Sequence, residues 1–365
     1  MKKVLRIAGQ VLVIAAITLA LDFLLTATVF NDMARTFSQA DAANLNAYIH
    51  TSYDHDLAPN QKSMRLWGKT LYSWQTDRYG FRTGTCAPGE AEKDWPAVFV
   101  IGDSFTEALG STYEKSFVGL MACDAARQKT AVWNLGVASY SPAIYHLKLR
   151  AAATRLGLKP AEVFVFLDLS DIDDDANVYK VEENGEVGRV GSVGQGGSPP
   201  FDWGQLFLNN FSTARFLYDL FLTSSFSYSA SLGRTRARWS IDPQLMASWG
   251  RRGLAIADAN MDKLVGVCRE WHCRVTLIVY PWPDNVAAGD RDSIQVTHWR
   301  DWAARNDVRF VDGFAPFFRE PAESVIRKYY IEGDVHFTDL GNQLLFDEVK
   351  QAVGGEWAGK AVAHQ

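Results

Sequence analysis

The chain has 365 residues, 47% of them hydrophobic and 22% charged, which excludes a disordered chain and allows one large domain. Its net charge is −5 and no Lys/Arg run stands beyond the amino terminus, which excludes the basic face that nucleic acid requires. Twelve Trp residues point first to core and membrane-interface packing and second to sugar stacking.

Lys2, Lys3 and Arg6 precede an apolar stretch from Val11 to Phe30, broken only by Thr residues and Asp22. About twenty residues of helix cross a hydrocarbon core of ~30 Å, and Asp22 falls toward the far end. A cleaved signal peptide with Val11–Leu21 as its apolar region is the alternative, but no small-x-small site follows it. Residues 1–31 are therefore expected to be an uncleaved anchor. The basic flank then stays in the cytoplasm, giving a single-pass protein of the inner membrane with its body on the periplasmic side.

Residues 32–95 are expected to be a stalk and lead-in, and 96–356 the main domain. Ala97–Ile101 is a predicted strand, 114–127 a helix, and 131–137 a strand. Pro142 opens a helix to Leu156, and 162–169 is an apolar strand. Residues 172–250 are expected to be an insertion, with a Gly-rich run at 191–198 and Trp203, Phe207, Phe211 and Trp239 available to cover a site. Helices at 254–271 and 293–306 alternate with strands at 274–280 and 308–311. The last helix, 339–353, has Thr338 as N-cap and Gly354 as its stop.

Buried strands alternating with helices predict a three-layer α/β/α sandwich around a five-stranded parallel sheet, flavodoxin-like in kind. Sites in such sheets lie beyond the carboxyl ends of the strands. Those ends carry Gly102-Asp103-Ser104, then Asn134-Leu-Gly136, Asp168-Leu-Ser170-Asp171, Tyr280-Pro-Trp282-Pro, and finally Gly333-Asp334-Val-His336 before the last helix. A serine hydroxyl is a poor nucleophile until an imidazole takes its proton, and the imidazole needs an acceptor on its other nitrogen.

The set "GDS", "NLG" and an Asp-His pair before the final helix resembles the SGNH/GDSL hydrolases and acyltransferases, over about residues 97–350. The resemblance implies Ser104 as nucleophile, His336 as general base and Asp334 as its orienting carboxylate. It implies an oxyanion hole from the Ser104 and Gly136 amides and a third donor, for which Ser170 stands where the family has Asn in G-x-N-D. Asp-x-His spacing recurs in relatives that acetylate exported polysaccharides. The implied activity is O-acetyl transfer to, or ester hydrolysis on, an envelope polysaccharide or lipid-linked saccharide. A lipase or lysophospholipase, and an inactive SGNH domain that binds glycan, are the alternatives. No cofactor and no metal are implied.

Trp282, stiffened between prolines, is expected as a sugar platform or as plain packing, and Asp171 as a residue at the substrate mouth. Asp171-x-Asp173-x-Asp175-Ala176-x₅-Glu182 approaches a calcium loop but has Ala where the turn needs Gly. A solvated acidic loop is preferred there. Asp77-Arg-Tyr-Gly80-Phe-Arg82 resembles a lead-in of acyltransferase-type members and is expected to pack under the site. Cys86, Cys123, Cys268 and Cys273 show no C-x-x-C spacing and allow three pairings. Cys268 with Cys273 is the first choice, and four buried thiols are the alternative.

Overall fold

The computed structural model describes residues 2–29, 47–67, 70–182, 185–190 and 235–358, with 210, 211 and 213. Helix α1, Lys2–Thr28, stands apart from the core, and its stretch Leu5–Thr28, of mean hydropathy 2.3, is long and apolar enough to cross a membrane. The Gly-rich run at 191–198 and the residues Trp203 and Phe207 lie outside the described residues.

Five strands form the central sheet: β5 (Ala97–Gly102), β6 (Ala131–Asn134), β7 (Glu162–Leu167), β10 (Arg274–Val279) and β11 (Arg309–Asp312), in the order β11-β10-β7-β5-β6. All pairs are parallel, with Gly102 opposite Phe166 and Val279 opposite Leu167. The strand sequences AVFVIG and EVFVFL are buried at every position, as strands covered on both faces must be. Covering them are α3 (Phe117–Ala126), α4 (Pro142–Leu156), α7 (Arg251–Trp271), α9 (Ile294–Asn306) and α11 (Asp339–Ala352). Strand order reverses between β5 and β7. The crevice that the reversal opens beyond their carboxyl ends is where Ser104 sits.

Residues 48–82 are more than a lead-in. Two hairpins, β1 (Tyr48–Thr51) with β2 (Asp54–Leu57) and β3 (Lys62–Trp67) with β4 (Thr70–Gln75), pack Tyr53, Leu57, Trp74 and Phe81 into the main core. Lys148 of α4 and Asp56 of β2 form a fully buried ion pair, with Arg155 adding a second contact to Asp56 at 2.8 Å. Arg65 and Arg82 flank the Trp74 ring, Arg65 at 3.1 Å from its centre. In turn, Arg82 donates to the Glu107 and Ser111 carbonyls, so the Asp77–Arg82 turn does lie under the site.

The acidic run after β7 is helical: α5 (Ser170–Asp173) continues as a wide turn to Val178. The short hairpin β8 (Tyr179–Val181) with β9 (Val187–Arg189) follows, and α6 (Thr235–Arg238) returns to the body. Part of the insertion thus folds into the domain. Both cysteine pairs are disulfides, Cys86–Cys123 and Cys268–Cys273.

Candidate active site

Gly102 ends β5 because nothing larger fits: a Cβ there would meet the Thr106 hydroxyl at 2.2 Å and the Phe166 carbonyl at 2.6 Å. The chain turns at once into α2, Ser104–Glu107, whose cap Asp103 accepts the Phe105 amide at 3.0 Å. Ala108, left-handed at φ 69°, stops the helix after one turn. Ser104 therefore heads a helix with its side chain part-exposed, while Phe105, Thr106 and Glu107 are buried.

Glu107 ties this turn to its surroundings. Its carboxylate accepts from the Trp74 indole at 3.1 Å, the Tyr48 hydroxyl at 3.2 Å and the Ala138 amide at 2.8 Å. The amino-terminal hairpins thereby brace both the Ser104 turn and the loop after β6.

His336 arrives from the loop before α11. Its Nε2 lies 2.8 Å from Ser104 Oγ, and its Nδ1 bonds Asp334 Oδ1, which also accepts the His336 amide at 2.9 Å. Burial works against the charge on Asp334, but His336 outweighs it and holds the carboxyl well below its ordinary range. Because Asp334 only accepts, Nδ1 carries the proton and Nε2 is left to take one from serine. Phe105 packs on the imidazole at 4.7 Å and Trp67 meets it edge-on at 5.1 Å. The Trp67 indole N–H makes no regular hydrogen bond, yet it is near enough to Asp334 to help hold the carboxylate ionised. Sequence reasoning missed Trp67 and Phe105. Phe105 adjoins Ser104 in the chain, but nothing in the sequence places Trp67 beside His336.

The oxyanion side differs from expectation. The Gly136 amide does not face open space: it donates to Asn134 Oδ1 at 2.9 Å, and Asn134 Nδ2 donates to the Thr106 carbonyl at 2.7 Å. Glycine is required because a Cβ would meet Thr106 Cγ2 at 2.5 Å. Ser170 begins α5 nearly buried, its own amide on Asp168 Oδ1 at 2.6 Å. The Ser104 amide, at the first position of its helix, is the donor nearest the nucleophile.

Trp282 is only 3% exposed, and its indole donates to Asp168 at 2.9 Å. A ring with no open face packs; it is not a platform. Asp171 is likewise no mouth residue: fully buried, it accepts the Tyr145 hydroxyl at 2.6 Å and the Asp168 amide at 2.9 Å. Position after a strand end told of loop membership, whereas burial under the crevice was decided by helix α5. The acidic run is not a solvated loop either. Asp173 meets Asn177 and Arg236, and Asp175 binds Ser141 and Asn260, so the spacing does not bring the carboxylates to one centre. Of the insertion aromatics, Trp239 is buried with its indole on the Leu169 carbonyl at 2.8 Å, and Phe211 contacts Phe23 of α1. Recesses of about 490 and 630 Å³ open at the amino ends of the strands, by Cys268–Cys273 and by Trp271, and hold none of these residues.

No family model and no curated protein matches the chain. Among solved structures it is similar to an alpha/beta hydrolase from the metagenome of Lake Arreo, Spain, at 14% identity and a TM-score of 0.39, covering 74% of this chain and 99% of that one. A catalytic mutant of an acetylxylan esterase from Geobacillus stearothermophilus gives 16% identity and 0.40, covering 72% and 95%. A GDSL-like lipase from Bacteroides thetaiotaomicron gives 14% and 0.38, covering 73% and 90%. Likeness this remote leaves reaction and substrate to the chain's own residues.

Proposed function

We propose that the chain is a serine-dependent acyl-ester enzyme of the SGNH type. The Ser104–His336–Asp334 arrangement, with 2.8 Å between Oγ and Nε2, supports this above all else. Ser104 Oγ attacks the ester carbonyl while His336 Nε2 takes its proton. The proton then goes to the departing alkoxide, leaving acyl-Ser104. Water or an acceptor hydroxyl gives its own proton to Nε2 and attacks the acyl carbon; the bond to Oγ breaks and that proton passes from Nε2 to Oγ, restoring the serine.

The oxyanion is served by the Ser104 amide and by the hydroxyl of Ser170. With the Gly136 amide engaged by Asn134, the set is one donor short, a loss of about 2.7–4 kcal/mol in transition-state stabilisation. A slow hydrolase of this kind gains from an acceptor held in place, so transfer outruns hydrolysis. The apolar amino-terminal helix and two disulfides favour an exported, membrane-anchored enzyme. An acetylated envelope polysaccharide or lipid-linked saccharide is then the substrate class, with Trp67, not Trp282, the aromatic beside the relay.

The test is intact-mass analysis of the full chain after exposure to a serine-reactive phosphonate. One adduct, on Ser104 and abolished by Ser104→Ala, is expected. Absence of any adduct leaves the glycan-binding, inactive domain as the better reading.

A further inference from the structure

Beneath Ser104 lie three buried carboxyls that the relay does not use: Asp103 after β5, Asp168 after β7, and Asp171 in α5. Since β5 and β7 are neighbours, with Gly102 opposite Phe166, the residues that follow them face each other. Asp103 Oδ1 accepts from the Phe105 amide at 3.0 Å and the Tyr280 hydroxyl at 3.4 Å, and its Oδ2 lies 3.2 Å from Ser104 Oγ. Asp168 accepts the Trp282 indole at 2.9 Å and the Ser170 amide at 2.6 Å. The two carboxyls lie close enough to hydrogen-bond each other. Two carboxylates cannot make that bond without a proton.

Every charged or titratable neighbour leaves the proton there. From α6, Arg236 is within reach of their charge but is hydrogen-bonded to Asp174 at 2.6 Å and lies 3.4 Å from Asp173. Tyr145 of α4, Tyr280 after β10 and Tyr330 are all buried phenols pushed well up, and Tyr145 and Tyr280 donate here. Asp171 is itself pushed well up, by burial first and by Asp103 and Asp168 next, and its buried Oδ1 makes no hydrogen bond, so it draws no proton from the pair. His336 is committed to Ser104 and Asp334. Burial first, and the neighbouring carboxylate second, push Asp103 well above the carboxylate range.

We propose that Asp103 stands beside the nucleophile as a neutral carboxylic acid whose proton is shared with Asp168, and that this link positions Ser104 and keeps a second negative charge off the oxyanion. The proposal rests on the reading of Ser104 as nucleophile. The serine hydroxyl has two acceptors in reach, His336 Nε2 at 2.8 Å and Asp103 Oδ2 at 3.2 Å. An ionised Asp103 competes for the serine proton and opposes the charge developing on the substrate. A neutral one accepts only weakly and carries no charge to oppose. Asp103 and Asp168 are thus positioning residues.

The test uses the full chain in detergent and three variants: Asp103→Asn, Asp168→Asn and Ser104→Ala. Infrared spectra with carboxyl-labelled aspartate are expected to lose one protonated-acid component at neutral pH in Asp103→Asn; no loss overturns the shared proton. Phosphonate labelling of Ser104 is followed across the alkaline range. The wild-type rate falls about tenfold per pH unit once the pair gives up its proton. Asp103→Asn, which keeps an N–H toward Asp168, shows no such fall. Asp168→Asn falls at lower pH, because losing a negative neighbour and gaining an amide donor both favour ionised Asp103. Rates lowered evenly, with profiles of unchanged shape, overturn the positioning role. Should Asp103→Asn not fold, the shift in Asp168→Asn decides. Labelling that survives in Ser104→Ala defeats the nucleophile reading instead, while the infrared result still decides where the proton is.

Discussion

If Ser104 and His336 act as the proposed pair, they work as one unit, and that has a measurable signature. Oγ is a nucleophile only while Nε2 accepts its proton, so removing either group removes the same step. Ser104→Ala and His336→Ala should each lower turnover of an activated acetyl ester by about 10⁴–10⁶, and the double variant should lose little more. Fully additive losses, read from steady-state rates, sink the assignment. These residues were legible in the sequence because the chemistry demands particular side chains at strand ends, and the strand ends were readable. Trp282 was left between platform and packing, and Asp171 was misplaced at the mouth, for the converse reason. Both follow strands, but whether a side chain faces solvent there depends on what packs above it, and α5 and Asp168 fill that space. Gly136 was expected to lend its amide to the oxyanion; the structure makes it a position with no room for a side chain. That its amide turns to Asn134 is a rotamer choice no pattern encodes.

Among the elements, the alternating apolar strands and capped helices were recovered to within a few residues, Thr338 included, whose hydroxyl accepts the Gly341 amide at 3.2 Å. The hairpins of residues 48–75 were not recognised. Their strands are short and mixed in character, and their core residues face a partner distant in sequence. Lys148 shows the dependence: on an isolated α4 it would sit in water, yet it is buried against Asp56 of β2. Burial weakens each charge alone, and the partner restores it, so the Asp56 carboxyl stays below its ordinary range despite its burial. Lys148→Ala leaves Asp56 with Arg155 and the Tyr53 hydroxyl and should cost about 3 kcal/mol in denaturant unfolding. Replacing both Lys148 and Asp56 with apolar residues should recover much of that loss. A cost below about 0.5 kcal/mol for Lys148→Ala would mean the pair contributes no more than an exposed one.

For the whole molecule, orientation and redox state must agree. Lys2, Lys3 and Arg6 adjoin the apolar helix, and basic residues close to a span stay on the cytoplasmic side. On the proposed orientation the body is exported, and an oxidising compartment would keep Cys86–Cys123 and Cys268–Cys273 closed. Cys86 reaches across 37 residues from the lead-in to α3, a closure worth about 4 kcal/mol against the unfolded chain, so its loss is visible as lost stability. A cytoplasmic body would have to keep its fold without that contribution. Two measurements separate the cases. A carboxyl-terminal alkaline-phosphatase fusion should be active, and protein alkylated directly in isolated membranes should take up no thiol reagent until it is reduced. An inactive fusion together with four alkylated thiols places the body in the cytoplasm, and the envelope saccharide is then out of its reach.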